Sequence, residues 1–167
     1  MSPLLPIRYA LPPDAEAMAE VTCAAFATFP DFDVTPQQSA ANWRRNLRTE
    51  AAERPRSHHT RVAELPDGTV VGLVMGGPAD PELGCDAEIY ALAVRPGHER
   101  QGYGRALLRA SAADLAAAGF GSLAIRVRTG NERARRFYTS LGGTRTGEVP
   151  PDEVVYSWPD IRAAGRQ

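Results

Sequence analysis

The residues best suited to binding an anionic ligand lie in a short loop with two glycines. Residues 100–105 read RQGYGR and follow a strand predicted to end near Val94, just before a helix predicted to begin near Gly104. Where such a loop enters a helix, backbone N–H groups converge on a phosphate, and the helix N-terminus carries about half a positive charge. The loop therefore predicts a binding site for a phosphate or pyrophosphate group.

Two common nucleotide-binding loops do not fit this segment. A Rossmann loop requires a third glycine, and Leu107 occupies that position. A Walker-type loop requires a lysine to reach the phosphates, whereas all 19 basic residues of the chain are arginine. The absence of lysine also excludes Schiff-base chemistry on a side chain.

Hydrophobic periodicity, turns and capping patterns predict the elements that position the loop. Strands are predicted at 7–9, 60–65, 69–75, 86–94, 122–127, 145–149 and 154–158, and helices at 12–27, 36–50, 104–118 and 131–141. Residues 66–68 supply the turn of a hairpin, and residues 76–78 are predicted to end it. An antiparallel first half followed by a right-handed β-α-β crossover predicts a mixed α/β fold.

The bulk composition is typical of one compact domain. Of the 167 residues, 43% are hydrophobic and 23% are charged, close to globular averages, so a single domain over residues 1–167 is expected. No apolar run approaches the roughly 20 residues that cross a bilayer, and prolines interrupt the opening residues where a signal peptide needs an apolar helix. A cytoplasmic protein without membrane partners is therefore expected, with Cys23 and Cys85 reduced.

Two longer motifs include the glycine loop and the segment that follows the next predicted strand. Residues 88–96 (EIYALAVRP) and 102–108 (GYGRALL) closely resemble the acetyl-CoA motif of the GNAT N-acetyltransferase family. Residues 131–138 (NERARRFY), followed by Leu-Gly-Gly at 141–143, resemble its second motif. The resemblance covers nearly the whole chain and is weakest between residues 27 and 59.

The resemblance implies a fold and an acyl donor. The fold is α/β (mixed α+β), with a central mixed sheet, an antiparallel N-terminal half, a splayed fourth and fifth strand, and helices on both faces. The donor is acetyl-CoA, used as a cosubstrate without a metal; its pantetheine arm pairs with the splayed strand and its pyrophosphate binds the loop. The residues assigned to the cofactor by resemblance are Leu92, Ala93, Val94, Arg100, Gln101, Gly102, Tyr103, Gly104, Arg105 and Asn131.

The resemblance also assigns two catalytic roles. Glu88 is the candidate general base that draws the amine proton through water, and strand alternation predicts that Tyr90 and Leu92 share its face. Tyr138 is the candidate acid for the departing thiolate, since a phenol with a pKa near 10 is protonated at neutral pH. The alternatives are that Glu88 only binds a cationic substrate, that Asp86 is the active carboxylate, and that Tyr138 is a core aromatic.

The acceptor is expected to be a primary amine of a small molecule or peptide. Phe29 and Phe32 lie between the first two helices, in a segment that helps to cover the acceptor site in GNAT proteins, and Tyr90 is the third substrate candidate. Acidic residues in these segments would suit a cationic amine. His58 and His59 are predicted to lie far from the motif, with neither a catalytic nor a metal-binding role.

One loop position departs from the family pattern. Glu99 lies three residues before the first glycine, where the family usually has Gln or Arg, and a carboxylate facing a pyrophosphate is unfavourable. Because the contacts of such a loop are mainly backbone donors, Glu99 is expected to point to solvent and to leave the site in place.

Two other functions stay open at this stage. Residues 95–136 carry nine arginines against three acidic residues, a balance that could serve a nucleic acid, although interleaved exposed aromatics and a recognisable module are absent. The chain could also hold acyl-CoA without turnover, as a sensor or partner subunit. The presence of both Glu88 and Tyr138 favours an enzyme that has an amine acceptor and no nucleic-acid partner, with a homodimer as a family-level possibility.

Overall fold

A computed structural model describes residues 5–166. The strands are β1 (Ile7–Tyr9), β2 (His59–Glu64), β3 (Val70–Pro78), β4 (Ala87–Val94), β5 (Leu123–Arg128), β6 (Thr144–Val149) and β7 (Glu153–Trp158). The helices are α1 (Ala15–Phe26), α2 (Pro36–Ala52), α3 (Tyr103–Ala117) and α4 (Glu132–Ser140). The predicted order of strands and helices is confirmed. The prediction about a signal peptide rests partly on residues 1–4, which lie outside the described range.

The strands form one sheet in the order β1-β2-β3-β4-β5-β7-β6. Only β4 and β5 pair in parallel, and α3 makes the crossover between them, while the other neighbours are antiparallel. This arrangement confirms the mixed α/β fold with an antiparallel N-terminal half. Within residues 5–166, no helix combines the length and apolar character that crossing a bilayer requires.

Helices cover both faces of the sheet, and each face has its own core. On the α3–α4 face the fully buried side chains include Leu107, Leu108, Leu115, Leu141 and Trp158. On the α1–α2 face the core includes Met18, Val21, Trp43, Leu47 and Leu73. Burying a side chain of this size contributes about 1.5–3 kcal/mol, so the two cores fix the sheet between its helical layers.

The start of α2 follows from a local sequence pattern. The Thr35 hydroxyl accepts a hydrogen bond from the Gln38 N–H at 3.2 Å, and the Gln38 side chain accepts one from the Thr35 N–H at 2.9 Å. Pro36 occupies the first helical position, where its missing N–H has no consequence. The predicted capping box is confirmed, and it sets where the segment joining α1 and α2 ends.

The strand β3 runs further than the sequence suggests. The β2–β3 hairpin ends at Gly76, which pairs with His59, as predicted, but β3 itself continues to Pro78 and pairs Gly76 with Ile89 and Gly77 with Glu88. A β-carbon on Gly77 would lie 2.6 Å from Cδ2 of His58 and 2.8 Å from the Tyr90 hydroxyl oxygen. Glycine is needed here for close packing rather than for a turn.

A bulge in β4 changes which side chains share a face. The pairing of β3 with β4 shifts once, so Tyr90 is an extra residue without a partner in β3. Ile89 packs into the core of the α3–α4 face, which places Glu88 on the α1–α2 face. Beyond the bulge, Leu92 packs on the α3–α4 face. The prediction that Leu92 shares a face with Glu88 is therefore wrong, because one extra residue reverses the alternation.

Candidate active site

The parallel strands β4 and β5 part after only three paired residues. Residues 87–89 pair with residues 123–125, whereas residues 126–128 of β5 pair only with β7. Along the edge that faces β5, residues 90–94 consequently have no strand partner within the described part of the chain. The result is an opening with free backbone donors and acceptors. We call this opening the β4–β5 gap, and Leu92, Ala93 and Val94 lie along it.

The glycine loop leads from this gap into the N-terminus of α3. Gly102 caps the helix in a left-handed conformation with φ of 90°, and no side chain caps the first turn. The N–H groups of that turn have no partner inside the helix, so they are available to an anion. Gln101 and Arg105 are exposed, whereas Tyr103 is buried in the α3–α4 core.

Backbone conformation and close packing constrain two further residues of the loop. Arg100 has a positive φ of 60°, a left-handed backbone that costs a non-glycine residue about 1–2 kcal/mol. A β-carbon on Gly104 would lie 2.9 Å from Cζ of Phe137. Gly104 thus lets α3 and α4 approach each other, and its role is packing as much as access for a phosphate.

Glu99 does not point freely to solvent, so that prediction is wrong. Its carboxylate accepts a hydrogen bond from the Gly97 N–H at 2.8 Å and one from Arg133 of α4 at 3.3 Å. The Gly97 N–H and the nearby Arg133 charge hold the pKa of Glu99 below its ordinary value. The negative charge of Glu99 is thus held by the loop backbone and by α4. This arrangement is compatible with an anion-binding site at the N-terminus of α3.

Glu88 is buried on the α1–α2 face and is held by two groups. One carboxylate oxygen accepts a hydrogen bond from Nε of Arg126 in β5 at 2.7 Å, and the other lies 3.4 Å from the Asp80 N–H. The residue is 3% exposed. The alternative carboxylate, Asp86, instead accepts a hydrogen bond from the Gly121 N–H at 2.8 Å and so binds the turn before β5.

A histidine and a glutamate, His58 and Glu53, lie near Tyr90. The ring of His58 lies 5.9 Å from the ring of Tyr90, and its Nδ1 is in hydrogen-bond contact with Glu53 at the end of α2. Burial, with the charges of Glu88 and Glu53, raises the pKa of Tyr90 to about 12, and its hydroxyl donates to the Pro78 carbonyl. The prediction that His58 lies far from the motif is therefore wrong.

Sequence reasoning missed Glu53, His58 and Arg126 as neighbours of Glu88. The predicted hairpin was the available signal. It places residues just before β2 beside the end of β3, and the end of β3 pairs with the start of β4, where Glu88 lies. The His59 side chain is buried, and neither of its ring nitrogens has a hydrogen-bond partner among residues 5–166. Burial lowers the pKa of His59, which keeps the ring neutral.

The segment between α1 and α2 reaches across to the diverging end of β5. Arg128 is in ion-pair contact with Asp31, and its guanidinium carbon lies 5.3 Å from the centre of the Phe29 ring. The Phe26 ring lies 5.8 Å from that of Phe29 and 5.9 Å from that of Phe32. The aromatic segment thus borders the same face of the sheet as Glu88.

Tyr138 lies on the opposite face, in the core beneath α4. It is 5% exposed, and its ring packs edge-on against Phe137 at 5.2 Å and Trp158 at 6.2 Å. Burial raises the pKa of Tyr138 above its ordinary value, so the phenol stays protonated. No group within residues 5–166 hydrogen-bonds to its hydroxyl, unlike the hydroxyl of Tyr90.

Asn131 serves α4 directly. Its side-chain oxygen accepts a hydrogen bond from the Ala134 N–H at 3.2 Å, which caps the helix. Its side-chain amide is left available for another partner. The position is thus explained by capping, and contact with a cofactor remains a prediction.

Most of the nine arginines between residues 95 and 136 form ion pairs with acidic side chains. Five of them pair with carboxylates, namely Arg95, Arg126, Arg128, Arg133 and Arg136. Arg100 and Arg105, beside the glycine loop, form no ion pair within the described residues. Neighbouring carboxylates therefore offset the positive charge of those five arginines.

The parted parallel strands and the open helix N-terminus define a mixed α/β domain with one candidate site, at the point where β4 leaves β5. The family model described as "Acetyltransferase (GNAT) family" matches residues 19–142. The chain belongs to this family.

Individual relatives agree with this assignment. The uncharacterized N-acetyltransferase YuaI of Bacillus subtilis is 36% identical over 110 residues, 61% of this chain and 63% of that protein. The mycothiol acetyltransferase of Frankia alni is 31% identical over 158 residues, 87% of this chain and 43% of that protein. The chain thus spans less than two thirds of the length of these curated relatives.

A solved structure shows the same fold. The yncA structure from Salmonella typhimurium, determined with its cofactor acetyl-CoA, superposes with a TM-score of 0.72, at 21% identity and with 94% of each chain covered. At this level of identity the likeness concerns the fold.

Proposed function

We propose that this chain transfers the acetyl group of acetyl-CoA to a primary amine of a small molecule or peptide, by direct attack in a ternary complex. The observation that carries the proposal is the β4–β5 gap, which opens onto the N-terminus of α3 and lies between Glu88 on one face and Tyr138 on the other. A thioester held in the gap would meet an amine from the α1–α2 face and a proton donor from the α3–α4 face.

The donor side is supported by backbone geometry. The free edge along residues 92–94 can pair with the amide groups of the pantetheine arm, and one of its N–H groups can steady the oxyanion. The unpaired N–H groups at the start of α3 suit the pyrophosphate, with Arg100 and Arg105 nearby. The bound acetyl-CoA in the Salmonella relative of the same fold supports this choice of donor.

The acceptor side determines how the reaction begins. Glu88 assists removal of a proton from the amine through water, and its ion pair with Arg126 fixes the carboxylate in position. The nitrogen then attacks the thioester carbon, the C–S bond breaks, and Tyr138 protonates the leaving thiolate. Tyr90, Phe29 and Phe32 line the approach and are proposed to contact the acceptor.

A thiol-release assay tests this function. Purified protein is incubated with acetyl-CoA and, in turn, with polyamines, amino acids, aminoglycosides and peptides with free N-termini, and the acetylated product is identified by mass spectrometry. At least one amine class should release thiol in proportion to product formed. Binding of acetyl-CoA without turnover on any amine would favour a non-catalytic binding module, and salt-dependent binding of DNA without binding of acetyl-CoA would refute the proposal.

A further inference from the structure

Glu53 and His58 form a carboxylate–histidine pair at the junction of α2 and β2. One Glu53 oxygen contacts Nδ1 of His58, while the other accepts the backbone N–H of His58 at 3.0 Å and that of Ser57 at 3.3 Å. The carboxylate is thus fixed by the backbone, and as an acceptor it faces an N–H on Nδ1. Nε2 is then the free basic nitrogen, without a hydrogen-bond partner in the described part of the chain.

This pair is next to the proposed acceptor site. Gly77, which has no side chain, lies directly across from Glu88 in the β3–β4 pairing, and the His58 ring fills the space above it. Directly opposite residues have side chains on the same face, with β-carbon positions about 5 Å apart. His58 and Glu88 therefore border one space, and Tyr90 lies between them.

The charged and titratable groups around this space come from several elements, including the loop after β3, where the Asp80 N–H contacts Glu88 and the Asp80 charge acts on Arg126. Glu53 comes from the end of α2, Tyr90 and Glu88 from β4, and Arg126 from β5. Arg126 is already paired with Glu88, so the carboxylate of Glu53 is the one that acts on the imidazole. The ring is 5.9 Å from that of Tyr90, and the His58 side chain is partly exposed, so an incoming amine can reach the imidazole.

A second proton acceptor beside Glu88 would let the enzyme use an amine that arrives protonated. Primary amines have pKa values of about 8 for α-amino groups and about 10 for lysine-like groups, so they arrive mostly as ammonium ions at neutral pH. Such a nitrogen loses one proton before it can attack and another after the C–N bond forms. Glu88 can accept only one of the two.

The following inference rests on the proposed function. We propose that His58, oriented by Glu53, takes the first proton of the acceptor ammonium and that Glu88 takes the second through water. The neutral nitrogen attacks the thioester carbon, the C–N bond forms, and the C–S bond breaks as Tyr138 gives its proton to sulfur. Two protons leave nitrogen and one reaches the thiol, so each turnover releases one proton to solvent after the side chains are reset.

The test measures kcat/KM for the best amine in wild type, His58→Gln and Glu53→Gln as a function of pH. Well below the pKa of the amine, His58→Gln should lower kcat/KM about 100-fold, while the affinity for acetyl-CoA stays unchanged. As the pH rises through the pKa of the amine, the loss should shrink, because the nucleophile then arrives neutral. Glu53→Gln should lower the rate less and show the same pH dependence.

Nitrogen-15 spectra of the imidazole provide a readout that needs no turnover. His58 should show the Nδ1–H tautomer in wild type and lose that preference in Glu53→Gln. Full activity in His58→Gln, a loss that does not change with pH, or the opposite tautomer in wild type would overturn the inference while leaving the proposed function intact. If wild type acetylates no amine, the proposed function fails first and the inference falls with it.

Discussion

Replacing Glu88 with glutamine should lower kcat/KM about 100-fold while leaving the affinity for acetyl-CoA unchanged. Glutamine keeps the shape of the side chain and can still accept a hydrogen bond from Arg126, but it cannot accept a proton from the amine. The carboxylate lies on the α1–α2 face and does not border the glycine loop. Steady-state kinetics with the best amine and calorimetric titration of acetyl-CoA separate the two effects.

The matched control is Asp86→Asn, which alters the other carboxylate near the start of β4. Asp86 binds the Gly121 N–H and faces the turn before β5, so its replacement should leave kcat/KM close to that of wild type. Thermal unfolding of both variants checks that the fold is kept, since Glu88 is a buried member of an ion pair. Full activity in Glu88→Gln would show that Glu88 only fills space beside Arg126.

Replacing Tyr138 with phenylalanine should lower kcat about 10- to 100-fold without weakening acetyl-CoA binding. The ring stays packed against Phe137 and Trp158, so only the proton donor is lost. Because burial raises the pKa of Tyr138 above its ordinary value, the hydroxyl of the wild type remains a donor throughout the neutral range, and the defect should persist across it. Rapid-quench measurement of a single turnover shows whether the chemical step is the one that slows.

Tyr156→Phe is the matched control for this variant. Tyr156 is equally buried, at 5% exposure, and its ring lies 6.4 Å from that of Tyr138. Loss of its hydroxyl removes the same atom from the same core, so any general effect on packing should appear in both variants. Equal losses of activity in the two variants would mean that Tyr138 has a packing role and does not donate a proton.

The sequence was sufficient for the order of the elements and for the position of the glycine loop before α3. Capping and turn residues are local signals, and Thr35, Pro36 and Gln38 act in the structure as their spacing predicts. The glycine loop is also local, since it depends on adjacent residues between one strand and one helix. The prediction that one domain spans residues 1–167 stays a prediction, as do the homodimer and the individual site roles.

The acceptor side was harder to predict because it depends on long-range register. One extra residue at Tyr90 moves Leu92 to the opposite face, and no local pattern marks such a bulge. His58 is 30 positions before Glu88 in the sequence, and only the pairing of β2, β3 and β4 brings the two residues together. Glu99 was misplaced for a similar reason, since its partner Arg133 comes from α4.

Amide hydrogen exchange with and without acetyl-CoA tests the account most directly, because it needs no knowledge of the acceptor. Binding of acetyl-CoA should slow exchange at two separate places, the free edge of β4 over residues 92–94 and the N-terminal turn of α3 over residues 102–105. Strands β1 and β6, which lie at the two edges of the sheet, should exchange as before. Absence of binding, or protection confined to other parts of the sheet, would contradict the assignment of the β4–β5 gap as the acetyl-CoA site.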